Sequence, residues 1–369
     1  MITVRPDSCR QYPTGRSRFA LVMEHRLSDL VRIDPPRRYQ DWRKVTASPG
    51  STLTEVLRSQ VPDDSDVLVV AGDDPLLTAP AHEVGPGRTV AALRVGTGPL
   101  TYDRLRVLLR SLEASDPVVI RRTAEKLADA LAGAAGLVLT DPLTRSLATV
   151  TGAGLGPVGP AAGSFRPGVV QAAPAGRRRS ADAVVDGRVA VKGRPVVFGR
   201  GPVPGPRQEW YERLSALSHY PLVLTVEDGT VTGMKASESG SALAAGALSG
   251  LFAADPGHAR VTALEFGLNP TAPRLPFSTE SNIAAAGGGT ASVHLVLGSE
   301  LTEYQLVLGC ATSTLTAVGS PVPLAGAGTA PAPPADAPAP AHRPSVRAGQ
   351  GALRLMTADG LWDSFPVGT

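Results

Sequence analysis

The sequence predicts a mixed α/β chain: an N-terminal α/β domain over residues 1–155, a β-rich domain over 156–325, a Pro/Ala linker over 326–346 and a short C-terminal tail over 347–369. Three observations carry this division. Up to about residue 140, β-branched runs alternate with amphipathic helical patterns, the texture of an α/β unit. From Val169 onward, short alternating runs separated by turn residues replace most of the helices. After residue 325 the chain turns to Ala and Pro, a composition that cannot pack a core and favours an extended spacer.

The first 60 residues hold polar and basic stretches with short helical pieces such as Thr52–Ser59. Asp64–Gly72 (DSDVLVVAG) reads as a buried strand between turn residues. Tyr102–Leu112 places Leu105, Leu108, Leu109 and Leu112 at helical spacing. Pro117–Ile120 is a strand candidate, Arg122–Leu131 a helix ending near Gly133, and Gly136–Thr140 another strand. The Gly/Pro-rich stretch 151–168 marks a loop or boundary. Its GAGLG is no dinucleotide fingerprint, because Pro157 and Pro160 forbid the helix that must follow.

Strands are then predicted at Ala183–Val185, Arg188–Val191, Pro195–Phe198, Pro221–Val226 and Thr230–Met234, with turns at Asp186-Gly187 and Asp228-Gly229. Ser237–Ala254 reads as a small-residue-rich helix, followed by strands at Val261–Phe266, Ala291–Leu297 and Glu303–Leu308. The tail carries Leu353, Leu355, Met356, Leu361, Trp362 and Phe365, which either pack on their own domain or dock a partner.

Net charge is only +3, and Arg177–Arg179 is the one dense basic run. That is not the clustered basic face of a nucleic-acid binder. The run reads as a solvated loop or turn, with contact to an acidic peptide as the second reading. The longest apolar runs, near Val67–Ala71 and Leu243–Ala254, are too short to span a bilayer. The N-terminus carries no apolar signal region. The two cysteines, Cys9 and Cys310, lie far apart and form no C-x-x-C pair, so a reducing compartment fits. The expectation is a cytoplasmic protein without nucleic-acid or membrane partners. Neither a G-x-S-x-G elbow nor a P-loop is present. Asp73-Asp74, after the DSDVLVVAG strand, reads as a plain acidic turn. Trp210, Tyr211 and Tyr304 read as core packing before cleft lining.

One stretch points to a family. Pro221–Leu297 runs as strand, Asp-Gly turn, strand and helix, then Glu265-Phe266-Gly267-Leu268-Asn269-Pro270, then Gly289-Thr290 with His294 and Gly298. This resembles the aminopeptidase T and aminopeptidase S family of two-metal aminopeptidases, with its E-L/F-x-G-x-N-P and G-T-x-H motifs. Pro167–Pro174 (PGVVQAAP) resembles the family's G-E-V-F-T-A-P strand. The resemblance covers residues 165–310 and implies a metallopeptidase-like fold for the β-rich domain; the family also commonly forms dimers.

A two-metal peptidase polarises the scissile carbonyl and supplies a hydroxide, and each metal takes about three protein ligands. The family's glutamate in the first strand stands as Val169 here. The closing His-x-Asp strand has no counterpart, since His342 is the only histidine after His294. Glu265 and His294 are the two inherited ligands. The resemblance therefore implies a non-catalytic relative with no metal expected. Its peptide-binding or remnant site is formed by Glu265, His294, Glu303, Tyr304 and Gln305. The alternative is an active metallo-aminopeptidase holding zinc or another divalent metal on Glu265, His294 and Glu303. The implied partners are a peptide ligand, a precursor peptide of a natural-product pathway among the candidates, and a partner enzyme, active paralogue or second copy of the chain.

Overall fold

In the computed structural model the described residues are 1–327, apart from 13–15, 73, 96–100, 155–161, 181–182, 200–203, 288–289 and 300, together with the backbone of Ala352–Met356 and Trp362–Pro366. Asp73, Gly289, His342 and most of the Pro/Ala linker lie outside them. The chain divides into two compact units, Met1–Thr329 and Ala330–Thr369. The described residues of the second unit pair as two antiparallel strands, with Leu353 opposite Phe365 and Met356 opposite Trp362 in register.

The architecture is mixed α/β, as expected from the sequence. The first half supplies strands β1 (Ile2–Val4), β2 (Arg18–Glu24), β3 (Val31–Ile33), β4 (Asp41–Ala47), β5 (Ser65–Ala71), β6 (Arg88–Arg94), β7 (Leu137–Asp141), β8 (Ser146–Thr151) and β9 (Val170–Ala173). Its helices are α1 (His25–Ser28), α2 (Leu53–Gln60), α3 (Ala81–Val84), α4 (Tyr102–Ala114) and α5 (Pro117–Ala132). A five-stranded parallel sheet forms in the order β4-β2-β5-β6-β9. Every residue of β5 is buried, because helices cover both faces of a parallel sheet. Leu53, Val56 and Leu57 of α2 pack on the Val67/Val69 face. Leu105, Leu108 and Leu112 of α4 pack on the Leu68/Val70 face. A capping box between Thr52 and Glu55 starts α2.

One expectation fails in this half and another is incomplete, each for an identifiable reason. Pro117–Ile120 is no strand but the first turn of α5. Asp116 accepts from the Val118 and Val119 amides at 2.8 and 3.4 Å, and Pro117 sits where its missing N–H costs nothing. The helical piece expected at Thr52–Ser59 is α2, but the first 60 residues also hold four strands that the sequence did not announce. The strand β4 is at a sheet edge and exposes Asp41, Trp42, Arg43 and Lys44, which erases its hydrophobic pattern.

The second half supplies β10 (Arg177–Arg179), β11 (Val184–Val191), β12 (Val196–Gly199), β13 (Leu222–Glu227), β14 (Thr230–Ala236), β15 (Val261–Gly267), β16 (Ser292–Leu297), β17 (Tyr304–Gly309), β18 (Thr314–Ala317) and β19 (Pro323–Gly326). Helices α6 (Pro204–Leu214), α7 (Ser239–Ala254) and α8 (Thr279–Ala284) accompany them. A seven-stranded antiparallel sheet runs β14-β13-β11-β8-β7-β18-β19, and a five-stranded antiparallel sheet runs β10-β15-β16-β17-β12. Val189, Leu139 and Leu224 of the first share one core with Leu264, Phe266, Leu295 and Leu308 of the second. The chain thus enters the seven-stranded sheet with β7 and β8, returns to the parallel sheet with β9, and leaves it again for β10.

Asp228-Gly229 closes the β13–β14 hairpin, with φ values of 48° and 71°, the two left-handed positions a tight hairpin requires. Asp186-Gly187 does not turn; it lies inside one continuous strand, β11. Gly187 has φ 115°, and a Cβ there would come within 2.6 Å of the Leu147 carbonyl oxygen, so the glycine serves close strand pairing. The Arg177–Arg179 run, read as a loop, is the edge strand β10, paired residue for residue with Gly267, Phe266 and Glu265.

Candidate functional site

The five-stranded sheet has one face in the main core and one face under α8. Strand alternation puts Arg177, Arg179, Glu265, His294, Gln305 and Gly309 on the α8 side. Glu265 and His294 are direct cross-strand partners, and Gly309 faces His294 from the next strand. The structure therefore brings together the two residues singled out by the family motifs. Glu265 is 0% exposed and His294 6% exposed.

A buried carboxylate needs a counter-charge. Arg177 supplies it: its Nη2 donates to Glu265 Oε1, and the guanidinium also lies 5.0 Å from the Phe198 ring centroid. Glu265 Oε2 has no hydrogen-bond partner among the described residues. The neighbouring imidazole is neutral at physiological pH. Burial pushes the His294 pKa down to about 3, and the charges of Arg274 and Arg177 push the same way. Its tautomer follows from the serine beside it. Ser292 Oγ donates its one proton to the Ala285 carbonyl at 2.7 Å, so the 2.8 Å contact to His294 Nε2 is filled by an Nε2–H donor. Nδ1 is then the acceptor, on the side of Gly309.

Asn269, from the same motif as Glu265, locks the surroundings. Its Nδ2 donates to Ser115 Oγ and to the Ala175 carbonyl, both at 2.8 Å, while Oδ1 accepts from the Thr271 amide and hydroxyl. It ties the end of α4 to the segment that carries Arg177.

The remaining expected site residues lie elsewhere. Glu303 is exposed and stands six residues before Gly309, the register partner of His294. At about 3.3 Å per residue that is roughly 20 Å. Tyr304 packs against Trp210 and His258, with ring centroids 6.0 and 6.2 Å away. Burial and the adjacent Glu303 carboxylate push its phenol up to about 12. Gln305 accepts from Arg179 at 3.3 Å and donates to the Gly298 carbonyl at 3.3 Å. Tyr211 stacks on Phe277 at 4.2 Å beside a cleft of about 20 Å³, room for about one water.

The alternative ligand set of Glu265, His294 and Glu303 is thus not assembled. The first two contribute two donors, Glu303 is remote, and a guanidinium already rests against Glu265. These residues do not fit a divalent cation, which takes about three protein ligands. No group of three or more His, Cys, Asp or Glu side chains converges as a metal site among the described residues.

Arg177 opens onto a second feature. A cavity of about 340 Å³ lies where the chain passes from β9 to β10, lined by Arg166, Val169, Gln171, Arg177, Arg178 and Glu280 among others. Val169, which the sequence resemblance set against a glutamate, is on its wall. Sequence reasoning missed Arg166 and Glu280 as site residues, and gave the Arg177–Arg179 run a peptide contact only as its second reading. The available signal was the alternation of the basic run: in a strand, Arg177 and Arg179 point to one face and Arg178 to the other.

Comparisons with known proteins give no family assignment. No family model matches the chain. No curated protein matches it either. Among solved structures, 2,5-dihydroxypyridine dioxygenase from Pseudomonas putida KT2440 is similar at 16% identity, over 86% of this chain and 92% of that one, with a TM-score of 0.47. Wild-type AmpT from Thermus thermophilus is similar at 13% identity, over 83% of this chain and 91% of that one, with a TM-score of 0.41. At such scores the likeness carries no inference about chemistry. No helix among the described residues is long and apolar enough to cross a membrane.

Proposed function

We propose that this protein binds a peptide without hydrolysing it, in the cavity between β9 and β10. Arg177 is the observation that carries the reading. One guanidinium both neutralises Glu265, a residue a metallopeptidase would commit to its metal, and forms part of the cavity wall. The volume of about 340 Å³ falls at the lower end of the range for small-ligand sites, roughly 300–1,000 Å³. Both β9 and β10 are the last strands of their sheets, and an unpaired strand edge can accept an extended peptide as one more strand. Binding without hydrolysis suits an accessory that presents its peptide to a partner enzyme or an active paralogue, as a precursor peptide of a natural-product pathway would require.

The test is equilibrium dialysis of the full chain against a random hexapeptide pool, with and without added zinc, read by mass spectrometry. The expected result is retention of a subset of intact peptides, lost in Val169→Trp, which fills the cavity. Zinc-dependent release of free amino acids that disappears in Glu265→Gln would establish the metallo-aminopeptidase reading instead. No retention of any peptide would remove the peptide-binding reading.

A further inference from the structure

Arg104 is a half-buried cation for which the described residues supply no counter-ion. It stands in the first turn of α4, and its Nε and Nη2 are buried with no hydrogen-bond acceptor among the described residues. Burial holds the guanidinium below its ordinary value. The Tyr211 phenol is the one group that offsets this, and no carboxylate does. An arginine stays charged and can only donate, so buried N–H groups of this kind call for an acceptor.

Tyr211 leads from Arg104 to the small cleft at the end of β6. Its volume of about 20 Å³ holds about one water, and the side chains lining it include Arg94 and Arg207 but no acid. Arg94 has Glu280 as counter-ion at 3.2 Å. Across the cleft, Phe277 stacks on Tyr211 and holds φ 54°, a left-handed conformation that is costly for an aromatic residue and recurs at ligand clamps. A space of this size admits a monatomic anion and excludes a tetrahedral oxyanion. We propose that a halide ion, chloride, binds beside Tyr211, accepting from the Arg104 guanidinium and the Tyr211 hydroxyl. It would join α4 of the first half to α6 of the second. The site is separate from the β9–β10 cavity and does not depend on a peptide binding there.

Chlorine NMR linewidths of sodium chloride, titrated into the full chain with ionic strength held constant by sodium gluconate, test it. Saturable broadening is expected, reversed by bromide and at least tenfold less effectively by inorganic phosphate. Arg104→Gln should abolish it. Tyr211→Phe, which keeps the ring and removes the hydroxyl, should weaken it severalfold. Arg110→Gln should leave it unchanged, because it removes the same charge from the exposed side of the same helix. Circular dichroism confirms that each variant is folded. Absence of saturable broadening overturns the proposal, since water then fills the site. Broadening that survives in Arg104→Gln overturns it as well, since chloride then binds elsewhere. Phosphate matching bromide overturns the halide assignment, since the site then takes an oxyanion.

Discussion

Two buried carboxylates, one in each half of the molecule, are stabilised in opposite ways. Asp66 lies in the parallel sheet, 1% exposed, and its Oδ2 accepts from the Tyr39 hydroxyl at 2.9 Å. Its partner is neutral, and burial raises its pKa to about 6. Glu265 lies in the antiparallel sheet, 0% exposed, and its partner is the Arg177 guanidinium. A neutral donor leaves the fold carrying a reluctant charge, which the protein sheds on mild acidification. A guanidinium makes a fixed ion pair and takes up the carboxylate that a metal site would need. The first arrangement bears on stability, and the second is the one on which the proposed function rests.

Acid should separate the two regions most strongly. His294, beside Glu265, has its pKa lowered from 6.5 to about 3. A depressed histidine contributes stability that is present above pH 6.5 and is lost as pH falls through the window toward 3. Between about pH 7.5 and pH 4 this amounts to roughly 3–4 kcal/mol. His294→Gln keeps a donor for Ser292 and should flatten that acid limb in urea unfolding measured across pH. An unchanged limb would mean that His294 is charged or solvated in the native protein.

Removing the arginine comes next. Arg177→Ala leaves Glu265 buried without its counter-charge, and breaking such a pair costs about 3–5 kcal/mol. A third of Arg177 faces solvent (35%), so a loss of about 2–3 kcal/mol at neutral pH is expected from denaturant midpoints.

Asp66 should respond with the opposite sign. Its folded pKa is raised from 3.8 to about 6. The stability linked to it is therefore full below pH 3.8 and is lost as pH rises through 6. Asp66→Asn keeps an acceptor for Tyr39 and should stabilise the protein at pH 7.5 by about 1–2 kcal/mol, with little effect near pH 4. Destabilisation at pH 7.5 would show that the charge itself is needed. The smallest effect belongs to Arg179→Gln. Its exposed guanidinium reaches Gln305 and Thr262 at 3.3 and 3.5 Å, and its loss should change stability by less than about 0.5 kcal/mol.

The same contrast shows what was legible in the sequence. Local chemistry was: the Asp228-Gly229 turn needs two left-handed residues and forms them. Glu265 and His294, cross-strand partners in the fold, were singled out only by the family resemblance. Asp116-Pro117 was an equally local signal, a cap followed by the one residue suited to the next position, but it was overlooked in favour of the β-branched Val118 and Val119. Partnerships across distant strands were not legible. Arg177 and Glu265 are 88 positions apart, and nothing local distinguishes an arginine in a solvated loop from one in an edge strand over a buried acid. The same holds for Asp66 and Tyr39, 27 positions apart. Glu303 was misplaced for a related reason. Its neighbours in sequence form the strand next to His294, but the register fixes Gly309, not Glu303, opposite the imidazole.

The measurement that bears most directly on the central claim is a double-mutant cycle between Arg177 and Glu265. Arg177→Met, Glu265→Gln and the double variant are compared with the parent by urea unfolding at neutral pH. A coupling of about 2 kcal/mol or more is predicted, with the double variant recovering most of what Arg177→Met loses. Additive effects would contradict it: Glu265 would then be balanced by some other group, and Arg177 would not be its counter-ion.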